Sequence, residues 1–185
     1  MKKNKYFIHL SIAEKGKYYA LSGDHNTALK YYREAIKMTQ KQSQGSIFLQ
    51  HYSQCIMESL QAMKAYEEVI IFCNKLLELI ELRETNKTDD YILKYKDDIR
   101  QRKALQYLFL GDRERAREIF QIIKNNRKKN PFTITNTLLE WILKGYHITT
   151  ENIENILKKE KFYIVNKNNL QPELYTELPM DLIIT

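Results

Sequence analysis

The chain begins with two stretches in which apolar and small side chains recur every three or four residues. The first stretch includes Ile8, Ile12 and Gly16, and the second includes Leu29 and Ile36. A spacing near 3.6 residues places such side chains on one face of an α-helix. We therefore predict two amphipathic helices within the first forty or so residues.

A Gly-Asp pair, Gly23-Asp24, separates the two stretches. Glycine readily adopts the left-handed backbone that ends a helix, and aspartate caps the first turn of the next helix. The two helices should therefore form an antiparallel hairpin. The small residues Gly16 and Ala28 allow two helix backbones to approach closely, and Tyr32 can fill the space beside them.

This arrangement recurs along the chain with steps of 3, 4, 5, 4 and 3 residues. The first set is Gly16, Tyr19, Gly23, Ala28, Tyr32 and Ala35, and a well-matched set is Ala104, Tyr107, Gly111, Ala116, Phe120 and Ile123. A degenerate set between them is Met57, Leu60, Lys64, Val69, Cys73 and Leu76. Asp112 follows Gly111 as Asp24 follows Gly23, so the turn signal recurs together with the spacing.

These sets resemble the tetratricopeptide repeat (TPR) family, whose pattern alternates small and aromatic residues around a Gly-Asp turn. The resemblance covers roughly residues 6–126. It departs from the family in length, because equivalent residues are 41 and 47 positions apart, against about 34 in the family. The linkers KQSQGS and RETNKTDD account for the extra residues.

The remaining residues predict a divergent terminal hairpin. Its first helix carries Leu138, Leu139, Trp141 and Ile142 and ends at Gly145; Thr150 caps the second, which carries Ile153, Ile156, Leu157 and Phe162. Trp141 is expected in the core. We predict an all-α fold, an α-solenoid of TPR-like hairpins over residues 1–130, the divergent hairpin over 131–165 and an extended tail over 166–185.

The resemblance implies that the first helix of each hairpin lines a wall that binds a peptide. Carried over by register, the partner-binding residues are Lys17 and Ala20, then His51, Gln54, Glu58 and Gln61, then Asp98, Gln101, Arg102 and Leu105. We expect a non-enzymatic adaptor, scaffold or assembly chaperone that binds another protein or a peptide segment, within a larger assembly. A peptide's terminal carboxylate is a less favoured ligand, because only Lys17 and Arg102 are suitable cationic contacts.

Charge favours one alternative function. Residues 91–130 contain twelve basic and five acidic side chains, whereas residues 41–90 contain five basic and eight acidic ones. The basic patch consists of Arg113, Arg115, Arg117, Arg127, Lys128 and Lys129. A patch of this kind attracts nucleic acid, anionic lipid or an acidic protein surface. A nucleic-acid-binding helical repeat is therefore the alternative, although the acidic middle segment interrupts the cationic stripe.

Neither catalytic nor metal-binding motifs are evident. The chain has no phosphate-binding glycine loop, nucleophile elbow or HExxH motif. His51 and Cys55 lie one helical turn apart, but two ligands make a weak metal site, so we predict no metal, cofactor or catalytic residue. Cys55 and Cys73 lie in apolar patterns, which favours buried thiols and a cytoplasmic location. No window is long and apolar enough for a membrane span, and the N-terminus lacks a cleavage signal.

The C-terminal residues are too apolar for an ideal solvated tail and too rich in proline for a long helix, since Pro172 and Pro179 interrupt them. Tyr163 to Val165 and Leu182 to Ile184 are candidates for short strands or an extended tail. The stretch 171–185 is acidic, with Glu173, Glu177 and Asp181. We hypothesise that it docks on its own array or self-associates, with its carboxylates near Arg113, Arg117 or the Lys128-Lys129 loop.

Overall fold

The computed structural model describes residues 8–39, 45–83, 90–126 and 132–178, and these form an all-α protein. The described helices are α1 Ile8–Leu21, α2 His25–Thr39, α3 Gly45–Ala62, α4 Tyr66–Arg83, α5 Asp90–Phe109, α6 Arg113–Asn126, α7 Thr133–Leu143 and α8 Thr150–Lys159. Two 3₁₀ turns follow, at Lys167–Asn169 and Pro172–Leu174. No strand occurs within these ranges, so Tyr163 to Val165 do not form the short strand considered above; the chain bends at Ile164.

The Gly-Asp pairs end and begin helices as predicted. Gly23 has a φ of 89°, and the amide of Asp24 donates to the carbonyl of Tyr19 at 2.9 Å. The Asp24 carboxylate then accepts from the amide of Thr27 at 3.0 Å, which satisfies a donor at the start of α2. Hydrogen bonds from the side chain and then from the backbone amide of Thr27 hold the pKa of Asp24 below its usual value.

The later Gly-Asp pair repeats this geometry. Gly111 has a φ of 81°, and the amide of Asp112 donates to the carbonyl of Tyr107 at 2.8 Å. The Asp112 carboxylate accepts from the amide of Arg115 at 3.0 Å. The predicted hairpin turns are therefore confirmed at both positions.

The spacing also identifies Lys64 as the counterpart of these glycines, and the backbone of Lys64 adopts the same left-handed conformation. Lys64 has a φ of 60°, which an L-residue adopts only at a cost. It lies between the end of α3 at Ala62 and the start of α4 at Tyr66. The spacing therefore placed Lys64 correctly at a turn between two helices.

Gly16 permits the close approach of α1 and α2. A Cβ built on Gly16 would lie 2.8 Å from Cε1 of Tyr32 and 3.0 Å from Cβ of Tyr31. Tyr32 and Ala28 are fully buried beside it. The prediction that a small residue and an aromatic ring pack together here is confirmed.

Packing divides the chain into two units. The first comprises residues 1–64 and 163–185, and the second comprises residues 65–162. In the first unit, α2 packs between α1 and α3; in the second, α5 packs against α4 and α6, and α6 against α7. The units differ from the segments predicted from sequence because the residues from 163 onwards group with the beginning of the chain. Cys55 is buried in the first unit and Cys73 in the second.

The terminal hairpin differs in detail from expectation. Thr149, and not Thr150, caps α8: its hydroxyl accepts from the amide of Asn152 at 3.2 Å, and the Asn152 side chain accepts from the Thr149 amide at 3.1 Å. Phe162 follows the end of α8 at Lys159. Gly145, with a φ of 70°, follows the end of α7, and Trp141 is half-buried. Among the helices that the structure describes, none combines the length and apolar character needed to cross a bilayer.

Candidate functional site

Part of the predicted partner-binding wall holds residues of the same chain. Residues 163–178, here called the C-terminal segment, make hydrogen bonds with side chains of α1, α2 and α3. The segment begins at α3, crosses to α1 and finishes at α2. The surface that receives its first half, lined by Glu14, Glu58 and Gln61, is here called the α1–α3 face.

Glu58 binds the backbone of the segment through two hydrogen bonds. Its Oε1 accepts from the amide of Ile164 at 2.9 Å, and its Oε2 accepts from the amide of Val165 at 3.0 Å. Glu58 is only 7% exposed, so these charge-assisted bonds are shielded from water. One turn further along α3, the side-chain amide of Gln61 donates from Nε2 to the hydroxyl of Tyr163 at 2.7 Å. Because the Glu58 contacts involve backbone amides, they do not depend on the side chains at 164 and 165.

Glu14 makes a second backbone contact, from α1. Its Oε2 accepts from the amide of Gln171 at 3.1 Å, while its Oε1 lies 2.6 Å from Nζ of Lys17. Lys17 is only 5% exposed, and its ion pair with Glu14 neutralises its charge. Burial, and then the charge of Lys17, lower the pKa of the half-buried His51. His51 is therefore neutral at pH 7.

The last residues of the segment contact α1 and α2 through side chains. Nζ of Lys15 lies 2.7 Å from the Glu177 carboxylate, which also accepts from the hydroxyl of Tyr31 at 2.6 Å. These two hydrogen bonds lower the pKa of Glu177. The amide of Leu178 donates to the Tyr31 oxygen at 3.3 Å, and Leu178 is buried.

The C-terminal stretch docks on helices of its own chain, as hypothesised, over the described residues up to Leu178. The electrostatic partner expected for Glu177 is wrong. Glu177 pairs with Lys15. Arg113 instead donates to the carbonyl of Tyr146 at 3.3 Å, and Arg117 pairs with Glu114. Lys128 and Lys129 lie outside the described residues, as do 179–185.

The first unit thus holds an irregular segment of its own chain, whose first half is bound mainly through backbone amides and whose second half is bound mainly through side chains. No protein-family model, curated protein or solved structure matches this chain significantly. The role of the α1–α3 face is therefore inferred from its own contacts.

Other predicted wall residues of the first unit, Ala20 and Gln54, are half-buried on α1 and α3. The sequence did not single out Glu14, Lys15 or Tyr31, which make some of the closest contacts to the segment. A signal was present, because Glu14 and Lys17 are three residues apart and share a helix face.

The predicted wall residues of the second unit contribute to internal packing. Nε2 of Gln101 donates to the hydroxyl of Thr135 at 2.8 Å, and the Arg102 guanidinium lies 4.4 Å from the ring centre of Phe162. Leu105 has no exposed surface, and Asp98 is half-buried. In this conformation the three residues 101, 102 and 105 offer a partner little surface.

The basic patch is partly compensated by carboxylates on its own helix and cap. Arg115 pairs with Asp112 at 3.2 Å, and Arg117 with Glu114. Arg127, like Lys128 and Lys129, falls outside the described ranges. Within those ranges, no three His, Cys, Asp or Glu side chains lie close enough together to hold a metal ion.

Proposed function

We propose that this chain is a non-enzymatic protein-interaction module, an adaptor, scaffold or assembly chaperone of the cytoplasm, built as a TPR-like solenoid. Its α1–α3 face binds a peptide or a segment of a partner protein. The matching turns at Gly23, Lys64 and Gly111 support the repeat architecture. The observation that carries the function is the pair of hydrogen bonds from Glu58 to two successive backbone amides.

A carboxylate that accepts from two successive amides recognises the backbone of a bent segment rather than one side chain, since Ile164 lies at a bend. Any residue except proline supplies such an amide. A site of this kind accepts a partner's segment in the place of residues 163–171. The C-terminal segment therefore serves as a template for the ligand and as its competitor.

The charge of this face favours peptide over nucleic acid. Glu14 and Glu58 supply the acceptors and are both buried. A phosphate oxygen brought to these carboxylates would meet like charge, whereas a peptide brings amide donors. The nucleic-acid alternative rests on the basic patch, where Arg115 and Arg117 already have acidic partners.

Site-specific photo-crosslinking in the native host tests the proposal. A photoreactive residue at Gln54, on the α1–α3 side of α3, should capture a discrete protein, and an added peptide of residues 163–178 should compete with that capture. The control position is Glu118, which is exposed on α6. Equal capture of the same protein at Glu118, or loss of capture on nuclease treatment, would argue against the proposal.

A further inference from the structure

The end of the C-terminal segment contacts a site that recognises side chains. Lys15, Tyr18 and Tyr19 on α1, together with Tyr31 on α2, form what is here called the Lys15 site. Nζ of Lys15 lies 4.8 Å from the ring centre of Tyr18 and 5.3 Å from that of Tyr19. With the segment in place, the cation therefore lies within cation–π range of both rings.

The segment fills this site with an ordered pattern of side chains. Tyr175 places its ring centre 5.4 Å from Nζ of Lys15 and 5.6 Å from the ring centre of Tyr18. Two positions later, Glu177 pairs with both Lys15 and Tyr31. The next residue, Leu178, is 4% exposed. The pattern is an aromatic residue, any residue, an acidic residue and an aliphatic residue.

The two parts of the segment are thus held by different chemistry. Glu58 and Glu14 bind backbone amides, which every peptide possesses. The Lys15 site contacts a ring, a carboxylate and a buried aliphatic group, so it distinguishes one sequence from another. Glu177 is 61% exposed, and exposed ion pairs are weak and exchange readily. The self-contact can therefore be replaced by a matching segment.

We propose that the Lys15 site is the specificity site of the module and that it binds a partner segment with an aromatic-x-acidic-aliphatic pattern, in competition with residues 175–178 of the chain itself. This inference rests on the proposed function, because it names the class of segment that the same surface selects.

Peptide binding to the full-length chain tests the inference. The double variant Tyr175→Ala, Glu177→Gln weakens self-occupation and leaves the Lys15 site intact. A fluorescent peptide of residues 163–178 should bind this variant at least tenfold more tightly than it binds the unaltered chain, as measured by fluorescence anisotropy. Adding Lys15→Met to the double variant should lower its affinity for the peptide at least fivefold. Adding Lys75→Met, at an exposed position of α4, should leave the affinity unchanged.

A second set of peptides separates this inference from the proposed function. The same peptide with Glu177→Gln should bind at least fivefold more weakly, and a scrambled peptide should not compete. If the peptide binds but neither Lys15→Met nor Glu177→Gln changes its affinity, the proposal of a specificity site at Lys15 is refuted. The proposed function of the α1–α3 face is then retained. If no peptide binds to a double variant whose circular dichroism matches the unaltered chain, both proposals fail.

A measurement without peptide covers the case in which the double variant does not fold. In the otherwise unaltered chain, Lys15→Met should increase the hydrogen-exchange rate of the Leu178 amide at least fivefold. The exchange rates of amides in the middle of α6 should not change. Equal protection of Leu178 in both proteins would overturn the role of Lys15.

Discussion

Lys64 occupies the turn position that glycine fills at residues 23 and 111. All three have a positive φ, of 60°, 89° and 81° respectively. A side chain with a Cβ atom is strained in this region by about 1 kcal/mol, whereas glycine is not. The chain therefore tolerates a small local cost at Lys64, where the repeat pattern is most degenerate.

We expect Lys64→Gly to stabilise the protein. The substitution relieves a left-handed strain of about 1 kcal/mol, and the added freedom of glycine in the unfolded chain offsets about half of the gain, so the free energy of unfolding should rise by about 0.5 kcal/mol. Urea denaturation measures it. Gly111→Ala is the matched opposite and should lower the free energy of unfolding by about 1 kcal/mol. A loss of stability in Lys64→Gly would contradict the backbone conformation described here.

At the level of single residues, the sequence located the face but not its chemistry. The repeat register placed Lys17, Glu58 and Gln61 on it. It could not show that Glu58 binds the amides of residues more than a hundred positions away, because such pairing leaves no local periodicity. For Glu14, the spacing to Lys17 indicated its helix face, but its backbone partner, the amide of Gln171, left no local signal.

At the level of helices, patterns that are local in sequence were reliable. The Gly-Asp turns and the buried positions of the repeats were predicted because each depends on residues within one hairpin. The cap of α8 was misplaced by one residue. A capping box between Thr149 and Asn152 decides that position, and asparagine at the third helical residue was the signal that the prediction overlooked.

The repeat register makes a stability prediction at Ala116, which is fully buried on α6. Ala116→Leu should lower the free energy of unfolding by about 1–3 kcal/mol, because the added methyl and methylene groups have no space in a close helix contact. Thermal or urea denaturation measures the change. The control is Glu118→Leu, which introduces the same side chain at an exposed position of the same helix and should change stability by less than about 0.5 kcal/mol. Equal effects at the two positions would refute the register.

At the level of the whole chain, the sequence predicted that the acidic C-terminal stretch pairs with a basic region, but it did not predict which basic region. The acidic stretch was expected at the basic patch of α6. Residues 1–40 contain eight basic and three acidic side chains, and Lys15 belongs to this earlier surplus. Charge alone does not choose between two basic regions. The buried Leu178 and the ring of Tyr175 place Glu177 at Lys15, because apolar contacts fix the position of the segment.

Docking of the C-terminal segment should weaken in acid because of Glu177. Hydrogen bonds from Lys15 and Tyr31 lower the pKa of Glu177 from its ordinary value of 4.5. A carboxyl whose pKa is lowered on folding stabilises the folded state above its unfolded pKa, and this contribution is lost as the pH falls through the lowered value. Lys15 does not oppose this trend, since the Glu177 carboxylate raises its pKa above the ordinary 10.5. The loss therefore begins near pH 4.5 and is complete below the lowered pKa.

The variant Glu177→Gln isolates this contribution, because the amide keeps an acceptor for Tyr31 and removes the charge. Glu177 is largely exposed, so at pH 7 the unaltered chain should be more stable than the variant by no more than about 1 kcal/mol. The difference should shrink below pH 4.5 and vanish at lower pH, as followed by urea denaturation across the range. Glu67→Gln, at an exposed position of α4, serves as a control and should show no such convergence. A difference that persists unchanged at pH 2.5 would mean that the charge of Glu177 does not hold the segment on α1 and α2.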